Sequence, residues 1–184
     1  MMNDEKIIKF ENKDRIKELN PIITLVRAGF KEGQVLCDIG AGTGVFSFPA
    51  SKISSENIYA LEVSDRMIEI LEKRVEEREV ENLIVKKVDS NVLPLETDSC
   101  DMAIMVTVLH EIKDKEIILK EVRRILRKNG RFMVIEFYNK RTPVGPPVDH
   151  RISEEELVEV CNSNGFKIAE QFSLGANLYG VVFE

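Results

Sequence analysis

The 184 residues suffice for one domain with a full hydrophobic core, and a 43% hydrophobic, 32% charged composition is that of an ordinary globular protein. A formal net charge of −6 argues against nucleic acid or an anionic membrane surface as the main partner. Three scattered cysteines (Cys37, Cys100, Cys161) and two histidines form no ligand cluster, so no metal site is expected, and free thiols point to a reducing, cytoplasmic setting. The N-terminal residues show no signal-peptide core and no apolar run approaches a membrane span.

From about Asn12 to Gly29 the chain reads as helical, with Ile16 and Leu19 on one stripe, a break at Pro21, and Ile22, Ile23, Leu25 and Val26 resuming it. Val35 to Ile39 is a short apolar strand carrying Asp38, followed by glycine at every second position: Gly40, Gly42 and Gly44. A helix follows to about Ile53, with Pro49 early in it at some cost in hydrogen bonding. Asn57 to Val63 is a second strand, and Ser64 or Asp65 caps a helix bearing Met67, Ile70, Leu71 and Val75, with Glu69 and Lys73 paired on its wet face. Leu83 to Val88 is a third strand ending at Asp89, and Cys100 to Val106, interrupted only by Asp101, is the nearly continuous apolar run of a strand buried on both faces.

Lys115 to Leu126 reads as a helix ended by Asn129-Gly130, then Arg131 to Phe137 as a fifth strand. After a loop with Pro143, Gly145, Pro146 and Pro147, a capping box at Ser153-Glu154-Glu155-Glu156 opens another helix through Val160. Two strands, Phe166 to Leu174 and Leu178 to Phe183, close the chain as a hairpin. Alternating strands and helices predict an α/β fold: a mostly parallel seven-stranded sheet with helices on both faces and a C-terminal antiparallel hairpin, in a single domain over residues 1–184.

Asp38, Glu62 and Asp89 all fall at or near the carboxyl ends of successive strands, where ligands of open α/β sheets bind. Glu62 lies roughly twenty residues past the first glycine, a spacing suited to a carboxylate that takes ribose hydroxyls. The glycines read Gly-x-Gly-x-Gly, not the Gly-x-Gly-x-x-Gly of nicotinamide sites. With Val88-Asp89-Ser90, the approach Leu93-Pro94-Leu95 to Cys100-Asp101, and Arg124 to Arg131, the chain resembles the class I S-adenosylmethionine-dependent methyltransferases along almost its whole length. Val108-Leu109-His110-Glu111 and Gly145-Pro146-Pro147 before Arg151-Ile152-Ser153 resemble the quinone-biosynthesis type and its small relatives of unassigned substrate.

That resemblance implies a Rossmann-like methyltransferase fold and S-adenosyl-L-methionine as cofactor. The amides of Gly40, Ala41, Gly42 and Gly44 would approach its methionine part, and Asp38 would orient that loop or meet the amino group. Glu62 would take the ribose hydroxyls, Val63 and Met67 would pack on adenine, Asp89 and Ser90 would meet its edge, and Thr107 would face the methionine end. The acceptor is expected to be a small molecule rather than nucleic acid, since Thr107 to His110 stands where the Asn/Asp-Pro-Pro-aromatic signature of base and amide methylation falls.

His110 is the candidate general base, against the alternative of a packed ring that orients its loop. Glu136 and Tyr138 alternate onto one face and are candidates for the acceptor pocket, as is Arg151 for an anionic acceptor. Residues 1 to about 30 would help form that pocket; a homodimer could supplement it, though the sequence shows none. The rivals are a nicotinamide-dependent oxidoreductase and a catalytically inactive cofactor-binding module.

Overall fold

The computed structural model describes residues 11–184. The first ten residues, which include part of the segment expected at the acceptor pocket, lie outside them. Seven strands form one sheet: β1 (Leu36–Ile39), β2 (Ile58–Glu62), β3 (Leu83–Lys87), β4 (Cys100–Val106), β5 (Leu126–Phe137), β6 (Ile168–Leu174) and β7 (Leu178–Phe183). Their order is β3-β2-β1-β4-β5-β7-β6, with β1 to β5 parallel and β7 antiparallel to both of its neighbours. The chain moves outward from β1 through β2 to β3, then returns to lay β4 on the other side of β1. The crevice between the carboxyl ends of β1 and β4 is therefore the switch point.

Period-two alternation divides the apolar side chains between two cores. On one face, Leu36, Ile58, Ala60, Met102, Ile104, Met133 and Ile135 meet α1 (Lys13–Leu19), α2 (Pro21–Arg27), α3 (Ser47–Ile53) and α4 (Asp65–Glu77) through Leu19, Leu25, Phe48 and Leu71. On the other, Cys37, Ile39, Leu61, Ala103, Met105, Phe132 and Val134 meet α5 (Lys115–Ile125) and α6 (Glu154–Ser163) through Leu119, Val122, Ile125, Leu157 and Cys161. All three cysteines are buried free thiols.

Local signals explain the boundaries. The capping box forms as expected: Ser153 Oγ accepts from Glu156 N at 3.2 Å and Glu156 Oε2 accepts from Ser153 N at 2.8 Å. Pro21 starts α2 after Asn20 takes a left-handed φ of 38°. Pro49 is the third residue of α3, where an N–H would have no intrahelical partner, so the expected hydrogen-bond cost does not arise. Lys73 lies 3.6 Å from Glu77, rather than pairing with Glu69.

The helix-to-strand junction near residue 126 also differs from expectation. α5 ends at Ile125 because the amides of Asp98 and Ser99 take the carbonyls of Arg124 and Ile125, each at 2.9 Å, and Leu126 already pairs with Cys100. Met102 next faces Arg131, so the residues between loop out of register, with Asn129 at φ 68°.

Candidate active site

The turn after β1 packs too closely for side chains at two positions. Gly40 sits at φ 74°, where a Cβ would fall 2.6 Å from Val108 Cγ2. Gly44 sits at φ 82°, where one would fall 2.7 Å from the Phe48 ring. The turn's amides are largely spent within the protein. Gly40 N and Ala41 N both donate to Leu61 O at 2.8 and 3.0 Å, Gly44 N donates to Ala41 O at 2.9 Å, and Gly42 N donates to Glu62 Oε2 at 2.8 Å. The glycines thus bring the backbone close to the cavity while these donors are already engaged within the protein.

Two carboxylates end β1 and β2 on the same sheet face. Asp38, 3% exposed, accepts from Ser47 Oγ at 2.6 Å. Burial pushes its carboxyl up to about 7, opposed by the Ser47 hydrogen bond and reinforced by the charge of Glu62. Glu62 holds three amides, from Gly42 through Oε2 and from Val63 and Ser64 through Oε1 at 2.8 and 3.0 Å. Of roughly four acceptor directions on a carboxylate, about one is left, on Oε2.

A third buried acid, Glu136, lies near the end of β5. Glu136 binds His110 twice: Oε2 lies 2.8 Å from Nδ1, and Oε1 accepts from the backbone N at 3.2 Å. The side chains of His110 and Glu136 are 5% and 2% exposed. Burial by itself would lower the basicity of His110, but the hydrogen bond and charge of Glu136, helped by Glu111, outweigh it and raise the pKa overall. From the other side Arg15, on α1, donates to Thr107 Oγ1 at 3.0 Å. Burial lowers the Arg15 guanidinium to about 10, opposed by the charge of Glu136. Thr107 is β-branched yet sits at φ 56°, a strained conformation that its neighbours hold in place.

These groups surround a cavity of ≈ 820 Å³ at the switch point. Asp38, Gly40, Ala41, Gly42, Glu62, Val63, Met67, Ser90, Thr107 and His110 line it. Its far wall is Phe137 with the proline loop at Val144, Gly145, Pro146 and Pro147. Thr43 Oγ1 is buried beside the turn, within reach of the Glu11 carboxylate.

Other expected residues fall elsewhere. Gly44 is under the turn, against Phe48 and Leu71. Asp89 is exposed and lies 3.3 Å from Lys87 Nζ, outside the lining. Tyr138 shares the face of Glu136 but reaches Ser173 Oγ at 2.6 Å and packs on Tyr179, so alternation holds while only Glu136 turns towards the cavity, through His110. Arg151 spends all five N–H groups inside the protein, on the carbonyls of Tyr138, Lys140 and Pro146 and on Thr142 Oγ1. It clamps the proline loop, which corrects its assignment as the ligand of an anionic acceptor.

The proline loop lines the cavity as its two prolines suggested, whereas Arg15 and Phe137 were not singled out from the sequence. The inward face of α1 carries Arg15 and Leu19, four residues apart, instead of Ile16 and Leu19. An arginine in that stripe reads as solvated until its partners are seen. Among the described residues no cluster suits a metal ion, and no helix is long and apolar enough to cross a membrane.

Residues 30–178 match a family model described as Methyltransferase domain. An uncharacterized methyltransferase, YcgJ, from Bacillus subtilis is 30% identical over 58% of this chain and 42% of its own length. A ubiquinone/menaquinone biosynthesis C-methyltransferase, UbiE, from Cellvibrio japonicus is 26% identical over 62% of this chain and 47% of its own. The chain thus matches less than half the length of these curated relatives. A SAM dependent methyltransferase from Aquifex aeolicus shares the fold with a TM-score of 0.92 at 24% identity, covering 100% of this chain and 98% of that one. The [4+2]-cyclase SpnF shares it with a TM-score of 0.80 at 18% identity, covering 91% and 80%, so the fold by itself does not decide the chemistry.

Proposed function

The chain belongs to the methyltransferase-domain family, and from that premise we propose that it transfers a methyl group from S-adenosyl-L-methionine to a small-molecule acceptor by in-line displacement. The observation that carries the reading is the buried pair Asp38 and Glu62 beside the close-packed glycine turn, at the switch point of the sheet. A cofactor with an ammonium group and a ribose fits this donor set. Asp38 is a buried carboxyl under the like charge of Glu62, and a cation would relieve both. Glu62 has one acceptor direction left for a ribose hydroxyl. Val63 and Met67 offer apolar surface for a flat base, with Ser90 at its edge. The ≈ 820 Å³ cavity is large enough for cofactor and acceptor together.

When bound, the cofactor supplies an activated methyl group on a sulfonium. The chain's own work is then alignment, for which effective molarities up to about 10⁵–10⁸ M are attainable. Thr107 and Val108 at the end of β4, and Phe137 with Val144 to Pro147 opposite, form a mostly apolar acceptor wall, and His110 is placed to take a proton from an acceptor that arrives protonated. The likeness to a quinone C-methyltransferase agrees with such a wall. The single-domain organisation and a reducing cytoplasm are part of the same proposal, the latter supported by three free buried thiols.

Calorimetry tests the cofactor directly. S-adenosylhomocysteine should bind and NADH should not. Binding of NADH alone would return the site to a nicotinamide enzyme, and tight S-adenosylhomocysteine binding with no turnover of any acceptor would favour an inactive binding module.

A further inference from the structure

We propose that Glu136 is a positioning residue: it grips both the ring and the backbone of His110 and so holds the Nε2 lone pair on the wall between two cavities. The inference rests on the reading of His110 as the base. Its geometric ground is unusual for a strand. β5 runs Phe132-Met133-Val134-Ile135-Glu136-Phe137, an apolar sequence broken by one acid that is 1% exposed. Such an acid is costly to bury unless its oxygens are satisfied. Both are satisfied by one residue, at 2.8 Å through Nδ1 and 3.2 Å through the amide. A bond at Nδ1 to a carboxylate sets that nitrogen as the donor and leaves the lone pair on Nε2.

The position of that lone pair carries the functional weight. Besides the ≈ 820 Å³ cavity, a cleft of ≈ 940 Å³ opens between the proline loop, α5 and α6, and His110, Glu111 and Pro146 line both. Among the described residues Nε2 makes no hydrogen bond; Glu111 Oε1 lies 3.9 Å away, beyond hydrogen-bond distance. The charged groups around the ring are Glu136 on β5, Glu111 beside it, Lys115 on α5 and, acting on Glu136, Arg15 on α1. Across the outer cleft stand Glu116, Asp149, His150, Arg151, Glu156 and Glu159. In the transfer, the acceptor's X–H electron pair stays on X as the proton passes to Nε2. X then bonds the methyl carbon, and the carbon–sulfur pair returns to sulfur, leaving a neutral thioether and an imidazolium held by Glu136. A suitable acceptor is one whose nucleophilic atom arrives protonated.

The test needs no acceptor. With His150→Gln, His110 is the only histidine in the full chain, and diethyl pyrocarbonate attacks only an unprotonated, accessible imidazole nitrogen. Carbethoxylation, followed by absorbance and located by mass spectrometry, should occur at His110 with a pH midpoint above the ordinary histidine value of about 6.5. Adding Glu136→Gln should bring that midpoint down by about one pH unit. Nitrogen-15 NMR of the unmodified chain should show the Nδ1–H tautomer, an outcome that does not depend on any variant folding. A His110 that resists the reagent at every pH, an Nε2–H tautomer, or a midpoint unmoved by Glu136→Gln would overturn the proposal. S-adenosylhomocysteine should bind the Glu136→Gln chain within about twofold of the unaltered one, separating this failure from failure of the cofactor reading.

Discussion

The protein buries Asp38 and Glu62 in the lining of its switch-point cavity and Glu136 behind His110, and treats the two places in opposite ways. At the β1–β2 end, Asp38 is held by a hydroxyl and faces the like charge of Glu62, and its carboxyl is pushed up to about 7. At the β4–β5 end, Glu136 is bonded to His110 and feels the charge of Arg15. A buried acid must be neutralised by a proton or by cations. The first end uses a proton, which a cationic ligand can displace. The second has the Arg15 charge and the His110 hydrogen bonds instead, and is arranged to move a proton. On the function proposed above, the contrast divides the site into a donor side and an acceptor side.

Removing the first end should have the largest effect. Glu62→Ala leaves the amides of Gly42, Val63 and Ser64 without their acceptor. It should destabilise the fold by about 2–4 kcal/mol in denaturant titrations and weaken S-adenosylhomocysteine binding more than about 100-fold. If binding survives, the donor side has been placed wrongly.

Asp38→Asn sharpens the contrast through pH. Between about pH 4 and 7 the folded state holds a proton on Asp38 that the unfolded chain has released, so stability should fall as pH rises through this window. The span is of order a few kcal/mol. In Asp38→Asn this part of the slope should vanish, as measured by unfolding free energies at pH 4.5 and 7; an unchanged slope would mean that other groups carry it.

Arg151→Lys tests the acceptor-side wall. A lysine cannot reproduce five directed N–H bonds, so the proline loop should lose about 1–2 kcal/mol of stability and its amides should exchange faster by hydrogen exchange. The smallest effect should come from Arg15→Gln. Loss of its charge from beside Glu136 should raise the His110 titration midpoint by a few tenths of a unit, read by NMR.

Much of this was legible in the residues. The nearly continuous apolar run Cys100 to Val106 is a strand with cores on both faces, and the Ser153 capping box starts its helix where read. Asp38 and Glu62 could be placed because strand-ending acids beside a glycine turn have one architecture that joins them. Asp89 differs: just past the end of β3 it is exposed and pairs with Lys87, a contact that strand position alone did not reveal. Arg151 and Arg15 were unreadable for a different reason. A guanidinium is defined by where its five donors point, and that depends on loops remote in sequence, such as residues 138–146 for Arg151 and Thr107 for Arg15. The early end of α5 also hung on a partner outside it, the amides of Asp98 and Ser99.

The most direct test of the donor side is the proton count on binding. S-adenosylhomocysteine should be titrated calorimetrically at pH 6 in two buffers of different ionisation enthalpy. The account predicts an apparent enthalpy that depends on the buffer, reporting close to one proton released from Asp38 on binding, and no such dependence in Asp38→Asn. Binding whose enthalpy is the same in both buffers, or a dependence that persists in Asp38→Asn, would contradict it.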